Sequence, residues 1–249
     1  MALKLLLFDL DGTLLDTLDD LTAATNAALG SFGYHGITKS TCRSLVGNGA
    51  RVLMRRAVNT AGSDSNLQKQ TTEQARSSAA SAGENQPQKL PMPSDAELVA
   101  AFNREYEECW HEETKPYPGI LELLAFLQAT GYRLGIISNK PDLFTKKIAA
   151  HFFPTINFDF VTGMKPDRPA KPDPALALEI CQKTGISPQE TALIGDSSVD
   201  MKTAVAAGML PIGVLWGFRD KAELQENGAK YLVASAEELA LLLLSMFDN

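Results

Sequence analysis

The stretch LKLLLFDLDGTLLDT, from Leu3 to Thr17, contains the pattern that decides the fold. Its first six residues suit a buried strand, and two aspartates, Asp9 and Asp11, follow that strand one residue apart. Two like charges at one strand end repel each other, so we expect a neighbouring group to offset the repulsion. Gly12 permits an unusual turn and a close approach of the backbone. The stretch therefore predicts a central strand that ends in a reactive loop.

Short apolar runs alternate with helical patterns through the second half of the chain. Three of these runs are RLGII (133–137), FDFVT (158–162) and TALIG (191–195). Each run precedes a helical pattern; the helix after the first run is predicted to begin at Pro141, and the helices after the last two runs are predicted to end at Gly185 and Gly208. Strands that alternate with helices predict βαβ units and a parallel sheet covered on both faces. The expected fold class is α/β, with the first strand near the centre of the sheet.

The region between the first strand and residue 115 has a different pattern. It contains four helical patterns and no convincing strand, which indicates an all-helical insertion. We therefore expect a catalytic core formed by residues 1–15 and 116–249 and a helical domain formed by residues 16–115. Residues 60–94 are rich in Ser, Ala and Gln and nearly free of large apolar side chains. Such a composition predicts a flexible segment.

Composition excludes several classes of partner. The 249 residues can bury a substantial core, and the formal net charge is −7 without a basic cluster, so nucleic acid and anionic membrane surfaces are not expected partners. No run approaches the roughly 18–20 apolar residues of a transmembrane helix. The cysteines Cys42, Cys109 and Cys181 are odd in number and far apart, which favours a reducing compartment and hence a cytoplasmic protein.

Candidate reactive side chains follow four predicted strands. In open parallel sheets, ligands bind outside the carboxyl ends of the strands, so these side chains are expected to converge. They are Asp9 and Asp11 after the first strand, Ser138, Asn139 and Lys140 after RLGII, Lys171 after FDFVT, and Asp196 and Asp200 after TALIG.

This set of side chains suits phosphoryl transfer. Asp9 and Asp196 provide the hard oxygen ligands that Mg²⁺ prefers, and the cation would offset the repulsion between the carboxylates. One carboxylate can attack phosphorus and form an aspartyl-phosphate. A second carboxyl group can protonate the leaving oxygen and then deprotonate water. A lysine and a hydroxyl group would stabilise the negative charge of the transferred group.

Four segments, in their order along the chain, resemble the motifs of the haloacid-dehalogenase-like (HAD) hydrolase superfamily. They are DLDGT, the strand-end Ser138, Lys171 with its following proline, and GDSSVD. The resemblance covers the sheet domain and implies a Rossmann-like core, with the helical insertion as a cap. It also implies that Asp9 is the nucleophile and Asp11 the general acid/base, while Ser138 and Lys171 bind the phosphoryl group.

The same resemblance implies a Mg²⁺ site. Asp9, the backbone carbonyl of Asp11, and Asp196 would hold the ion, with Asp200 as support. Asp200 is also explained as a favourable charge in the first turn of a helix. The motif departs from many relatives at Val199, where they have asparagine, and the local hydrogen bonds of that asparagine would be lost.

Part of the insertion resembles bacterial phosphoglycolate phosphatases. The resemblance lies in VGNGARVLMRRAV, together with PYPGI and SNKP. It implies that residues 47–49 form a cap loop facing the substrate, although the two glycines could simply separate two helices. The full set expected to bind substrate is Gly12, Thr13, Gly47, Asn48, Gly49 and Asn139.

The function expected from these resemblances is Mg²⁺-dependent hydrolysis of a small phosphate monoester, with 2-phosphoglycolate favoured. A β-phosphoglucomutase-like transfer or a pyrophosphatase would use the same core with another cap preference. A regulator that binds a phosphate ester without turnover is a further alternative, but binding alone needs no acid/base at Asp11. The expected partner is a small phosphorylated metabolite, and the protein is expected to be a monomer or a homodimer.

Overall fold

A six-stranded parallel sheet forms the centre of the protein in a computed structural model, which describes residues 2–62 and 92–247. The six strands are β1 (Leu5–Phe8), β4 (Arg133–Pro141), β5 (Phe160–Met164), β6 (Thr191–Gly195), β7 (Leu210–Val214) and β8 (Tyr231–Val233). Their order in the sheet is β5-β4-β1-β6-β7-β8, so the first strand is central, as its apolar sequence predicts.

Helices cover both faces of this sheet. They are α5 (Ile120–Ala129), α6 (Asp142–Phe152), α7 (Ala175–Thr184), α8 (Ser198–Ala207), α9 (Lys221–Glu226) and α10 (Ala236–Phe247). Because side chains alternate along a strand, Leu5 and Leu7 of β1 pack with α7 and α8, whereas Leu6 and Phe8 belong to the cluster that contains α5, α6 and α10. All four β1 side chains are fully buried, which confirms the predicted α/β fold with a Rossmann-like parallel sheet.

Two element boundaries differ from the sequence prediction. The run FDFVT (158–162) forms a strand that begins at Phe160, two residues later than expected. The helix expected to begin at Pro141 begins at Asp142, because Pro141 still belongs to β4 and pairs with Met164. The predicted ends at Gly185 and Gly208 are correct, and both glycines have the positive φ that suits a helix C-terminus.

In the described residues, four helices lie between β1 and the return of the chain to the sheet. They are α1 (Leu18–Ser31), α2 (Lys39–Leu45), α3 (described over residues 50–62) and α4 (Asp95–Cys109). We call residues 16–115 the insertion. The chain enters the insertion through β2 (Leu15–Asp16) and leaves it through β3 (Lys115–Pro116). These two crossings pair as a short antiparallel ladder, which the sequence did not predict. That the insertion is a separate cap domain stays a prediction.

The predicted flexible segment, residues 60–94, lies largely outside the described residues. At its described ends, α3 continues to residue 62, and Ser94 caps the N-terminus of α4. Ser94 and Glu97 form a reciprocal capping box there. None of the helices in the described part of the chain is both long and apolar enough to cross a bilayer.

Asp20 of α1 fastens the outgoing chain to the returning chain. Its carboxylate is almost completely buried and accepts hydrogen bonds from the backbone N–H groups of Glu113 and Thr114, at 3.0 and 2.9 Å. The hydroxyl of Thr114 also donates to it, at 2.6 Å. A buried carboxylate with several donors holds two distant segments together more firmly than a neutral side chain could.

We therefore expect Asp20→Ala to lower the free energy of unfolding by roughly 2–3 kcal/mol, because it leaves buried donors without an acceptor. Urea denaturation measures the change. The neighbouring Asp19→Ala provides a matched control, since Asp19 pairs with Lys39 where the side chains are 47% and 51% exposed, and exposed pairs contribute little. Equal effects of the two substitutions would contradict the assignment.

Candidate active site

The predicted reactive side chains converge at the carboxyl ends of β4, β1 and β6. Asp9, Asp11, Ser138, Asn139, Lys140 and Asp196 line one side of a pocket, whereas Lys171 and Asp200 are not among its described lining residues. The opposite wall comes from the insertion and is mostly apolar, with Leu21, Val46, Ala50, Leu53, Phe102 and Tyr106. The arrangement places a charged floor beneath an apolar roof, which suits a small ligand with one strongly charged end.

Three buried carboxylates form a cluster at the floor of this pocket. Asp9, Asp196 and Asp200 each offer an oxygen within 4.8 Å of the others, and their exposed fractions are 8%, 2% and 0%. Asp200 also forms a capping box at the start of α8, because its carboxylate accepts from the N–H and the hydroxyl of Ser197. The structural and the metal-supporting interpretations of Asp200 are therefore compatible.

Among the described residues, one ammonium group, that of Lys171, contacts this acid cluster. Lys171 Nζ lies 2.9 Å from Asp9 Oδ1 and 2.6 Å from Asp200 Oδ1, and it donates to the carbonyl of Ile137 at 2.9 Å. One positive charge against three carboxylates leaves excess negative charge in a buried position. Such an arrangement is expensive unless protons or cations compensate it.

The excess charge changes the protonation of the cluster. Burial raises the pKa of Asp9 to about 7; Lys171 opposes the rise, and the charges of Asp200 and Asp11 add to it. Burial, followed by the charges of Asp200 and Asp9, also raises the pKa of Asp196 well above its usual range. Asp9 and Asp196 therefore take up protons more readily than ordinary aspartates, and a bound cation would compete with those protons.

The donor set fits Mg²⁺. It consists of carboxylate oxygens, which are the hard ligands this ion prefers, and a divalent cation would neutralise the charge that Lys171 leaves uncompensated. The residues that would hold it are Asp9 and Asp196, with Asp200 beside them.

Asn139 holds Lys171 in place through its backbone. The side-chain oxygen of Asn139 accepts from the N–H of Lys171 at 2.8 Å, and its amide group donates to the carbonyl of Lys171 at 2.9 Å. The same amide group donates to the carbonyl of Gly47 in the insertion, at 3.1 Å. The sequence suggested a substrate-binding role for Asn139, which stays a prediction, and the structure adds this positioning role.

Gly12 and Thr13 contact Asp196. Gly12 has a φ of 87°, and a Cβ at this position would lie 2.3 Å from Asp196 Oδ2. The hydroxyl of Thr13 donates to Asp196 Oδ1 at 3.4 Å. The loop after β1 thus requires glycine because it packs directly against a carboxylate from β6. Contacts of these two residues with substrate stay predictions.

Ser138 and the loop of the insertion also reach the pocket. Ser138 is 5% exposed, and its hydroxyl accepts from the N–H of Lys140 at 3.2 Å. Gly47 and Gly49 line the pocket, whereas Asn48 is not among the described lining residues. The two glycines therefore separate α2 from α3 and face the site as well.

The sequence placed Lys140 among the side chains expected to converge but gave it no specific role, and it did not single out Tyr106. Lys140 Nζ lies 3.0 Å from both carboxylate oxygens of Asp11 and 4.5 Å from the centre of the Tyr106 ring. Burial disfavours the ammonium charge, but Asp11 and then Tyr106 outweigh it and raise the pKa of Lys140. Burial raises the pKa of Tyr106 to about 12. A signal for Lys140 was its position after Ser138; nothing in the sequence marks Tyr106.

The raised pKa of Asp9 predicts a pH dependence of stability in the metal-free protein. Because folded Asp9 keeps its proton up to about pH 7 and an unfolded aspartate only to about pH 4, its contribution stabilises the fold at low pH. This contribution is lost as the pH rises through that window. Urea denaturation in EDTA at pH 5 and pH 8 should therefore show a smaller loss of stability for Asp9→Asn than for the wild type. Equal losses would contradict the raised pKa.

Known proteins resemble this chain over nearly its whole length. The profile of the haloacid dehalogenase-like hydrolases matches residues 6–214. Phosphoglycolate phosphatase 1 of Pseudomonas aeruginosa is 30% identical, with 95% of this chain and 78% of that protein covered. The phosphoglycolate phosphatase of Nitrosospira multiformis is 29% identical, with coverages of 98% and 96%. A crystal structure of a Lactobacillus delbrueckii subsp. bulgaricus protein is 31% identical, with a TM-score of 0.82 and coverages of 98% and 99%. The chain therefore belongs to the haloacid dehalogenase-like hydrolase family, among its phosphatases.

Proposed function

We propose that this phosphatase hydrolyses a small phosphate monoester through an aspartyl-phosphate on Asp9, with Mg²⁺ as cofactor and 2-phosphoglycolate as substrate. The observation that carries the proposal is the position of Asp9, which lies against Lys171 within the buried acid cluster and opens into the same pocket as Asp11. A nucleophilic carboxylate and a second carboxyl group are thus available to one bound ligand.

The chemistry divides into two steps. A carboxylate oxygen of Asp9 attacks phosphorus, the ester P–O bond breaks, and the departing alkoxide takes a proton from the Asp11 carboxyl group. Water then attacks the phosphorus of the aspartyl-phosphate, Asp11 accepts its proton, and the bond between Asp9 and phosphorus breaks to release phosphate. When bound, Mg²⁺ supplies charge neutralisation for the phosphoryl oxygens.

Other residues hold the reacting groups. Lys171 and Ser138 would bind phosphoryl oxygens, because one is a cation in contact with Asp9 and the other a hydroxyl on the pocket floor. Lys140 contacts both oxygens of Asp11 and so orients the acid/base. We propose that the insertion acts as a cap, since its apolar wall excludes water from the charged floor.

The identity of the leaving group rests on two observations. Curated relatives at about 30% identity are named phosphoglycolate phosphatase. The pocket also contains the cationic side chains of Lys140 and Arg219, which can attract the carboxylate of a glycolate group. Arg51 of the insertion is exposed and is not among the described lining residues, so we do not assign it this task.

A reducing compartment, the cytoplasm, is part of this proposal. Cys42 and Cys181 are buried as free thiols, and Cys109 is also unpaired. Disulfides would be favoured outside the cell, whereas reduced thiols persist in the cytoplasm. We propose no nucleic-acid or membrane partner and a monomer or homodimer, as expected from the sequence.

The purified protein should release inorganic phosphate from 2-phosphoglycolate in the presence of Mg²⁺ and lose this activity in EDTA. Asp9→Asn should lower kcat by at least about 10³-fold, because an amide is a poor nucleophile. Asp19→Asn, which changes an exposed aspartate in the same way, should keep wild-type activity. Undiminished turnover by Asp9→Asn would refute the mechanism.

A substrate panel separates the proposed activity from its alternatives. The panel contains 2-phosphoglycolate, glycerol phosphate, β-glucose 1-phosphate and pyrophosphate, and product analysis shows whether phosphate is released or moved. We expect the highest kcat/KM for 2-phosphoglycolate, because its leaving group carries the carboxylate that Lys140 and Arg219 can attract. A mutase would convert the sugar phosphate into an isomer, and tight binding without turnover would support a regulator.

A further inference from the structure

The segment of residues 216–219, between β7 and α9, contacts the acid cluster on one side. The N–H of Phe218 donates to Asp196 Oδ2 at 2.7 Å. The indole N–H of Trp216 donates to the carbonyl of Thr13 at 3.0 Å. A Cβ at Gly217 would lie 2.3 Å from both Asp196 Cβ and the carbonyl oxygen of Gly12, so this backbone packs directly on the cluster.

The same segment contacts the insertion on its other side. Arg43, in the last turn of α2, donates from Nη2 to the carbonyl of Gly217 at 2.6 Å and from Nε to the carbonyl of Phe218 at 2.9 Å. In the reverse direction, Arg219 donates from Nη2 to the carbonyl of Val46 at 2.6 Å, and from Nη1 to the carbonyl of Arg43. We call Arg43 and Arg219 the arginine clamp.

The clamp has favourable electrostatics in both directions. The carbonyl groups at the end of α2 lack partners within the helix, and a cation is favoured at a helix C-terminus. The side chain of Arg219 is only 15% exposed and also lies 3.5 Å from Glu223. These are charge-assisted hydrogen bonds between two parts of the chain about 175 residues apart.

The peptide group between Gly217 and Phe218 links the insertion to the acid cluster. The carbonyl of Gly217 and the N–H of Phe218 belong to the same peptide, so Arg43 binds one end of the group whose other end holds Asp196. A cationic donor on the carbonyl polarises the peptide and strengthens the hydrogen bond that its N–H donates. The contact of the insertion with the core is therefore transmitted to a carboxylate of the acid cluster.

We propose that the arginine clamp positions Asp196, so that seating of the insertion and binding of Mg²⁺ favour each other. This inference rests on the proposed use of Mg²⁺ by the protein. Arg43 and Arg219 are positioning residues in it, since they act on the cluster through the backbone of residues 217–218. Linkage requires the coupling to be reciprocal: the bound ion stabilises the seated insertion as much as the seated insertion favours the ion.

Mg²⁺ affinity, measured by titration calorimetry without substrate, tests the proposal. Arg43→Ala should weaken Mg²⁺ binding at least about five-fold. Direct electrostatics predicts the opposite sign, because removing a positive charge near an acid cluster should strengthen cation binding. Arg43→Lys keeps the charge but loses the two-pronged contact, so it should also weaken binding, by a smaller factor. Arg56→Ala, which removes an exposed arginine of the insertion, is the matched control and should bind Mg²⁺ like the wild type.

Amide hydrogen exchange of the full protein provides the reciprocal measurement. Mg²⁺ should slow exchange in residues 43–46 of the wild type, and this protection should be lost in Arg43→Ala. Arg219→Ala tests the same coupling from the core side and serves if Arg43→Ala does not fold. Unchanged or tighter Mg²⁺ binding in these variants, or Mg²⁺ protection that persists in them, would overturn the clamp. Absence of Mg²⁺ binding by the wild type would overturn the proposed cofactor and the clamp with it.

Discussion

Burial of three carboxylates beside a single ammonium group is the constraint on which this structure depends. The carboxyl ends of β1 and β6 bring Asp9 and Asp196 together, and α8 adds Asp200. Lys171 compensates only part of their charge. The surrounding backbone is arranged to hold these side chains close despite their repulsion, and the glycines at positions 12 and 217 pack where any side chain would collide with Asp196. A bound cation would complete the electrostatic balance of the site.

The layers around the cluster have distinct tasks. The sheet fixes the positions of the carboxylates, because β1 is buried on both faces and cannot shift without disturbing two sets of helices. Asn139 holds Lys171 by its backbone, and Lys140 holds Asp11. The insertion supplies the apolar wall and reaches the cluster indirectly, through the peptide between Gly217 and Phe218. The segment of residues 216–219 thus packs against the acid cluster and also contacts the insertion.

The sheet and the acid cluster could be predicted from the sequence because their signals are local. Asp9 and Asp11 directly follow an apolar strand, and the rule that parallel strands end at one edge brings Asp196 beside them. The contact of Lys140 with Tyr106 and the pairing of Arg43 with residues 217–218 gave no such signal. In each case a charged side chain on a strand end or helix meets a partner far along the chain, and a single sequence carries no pattern for that pairing. Likewise, the positioning contacts of Asn139 and Gly12 depend on how loops pack, which spacing alone does not determine.

The antiparallel pairing of β2 with β3 has a consequence for which changes the fold tolerates. The insertion leaves the sheet domain at residues 15–16 and returns at 115–116, where the two crossings are hydrogen-bonded neighbours. The insertion therefore connects β2 to β3 in the way that a turn connects the two strands of a β-hairpin. The length and sequence of the intervening segment can therefore change while the strands on either side keep their register.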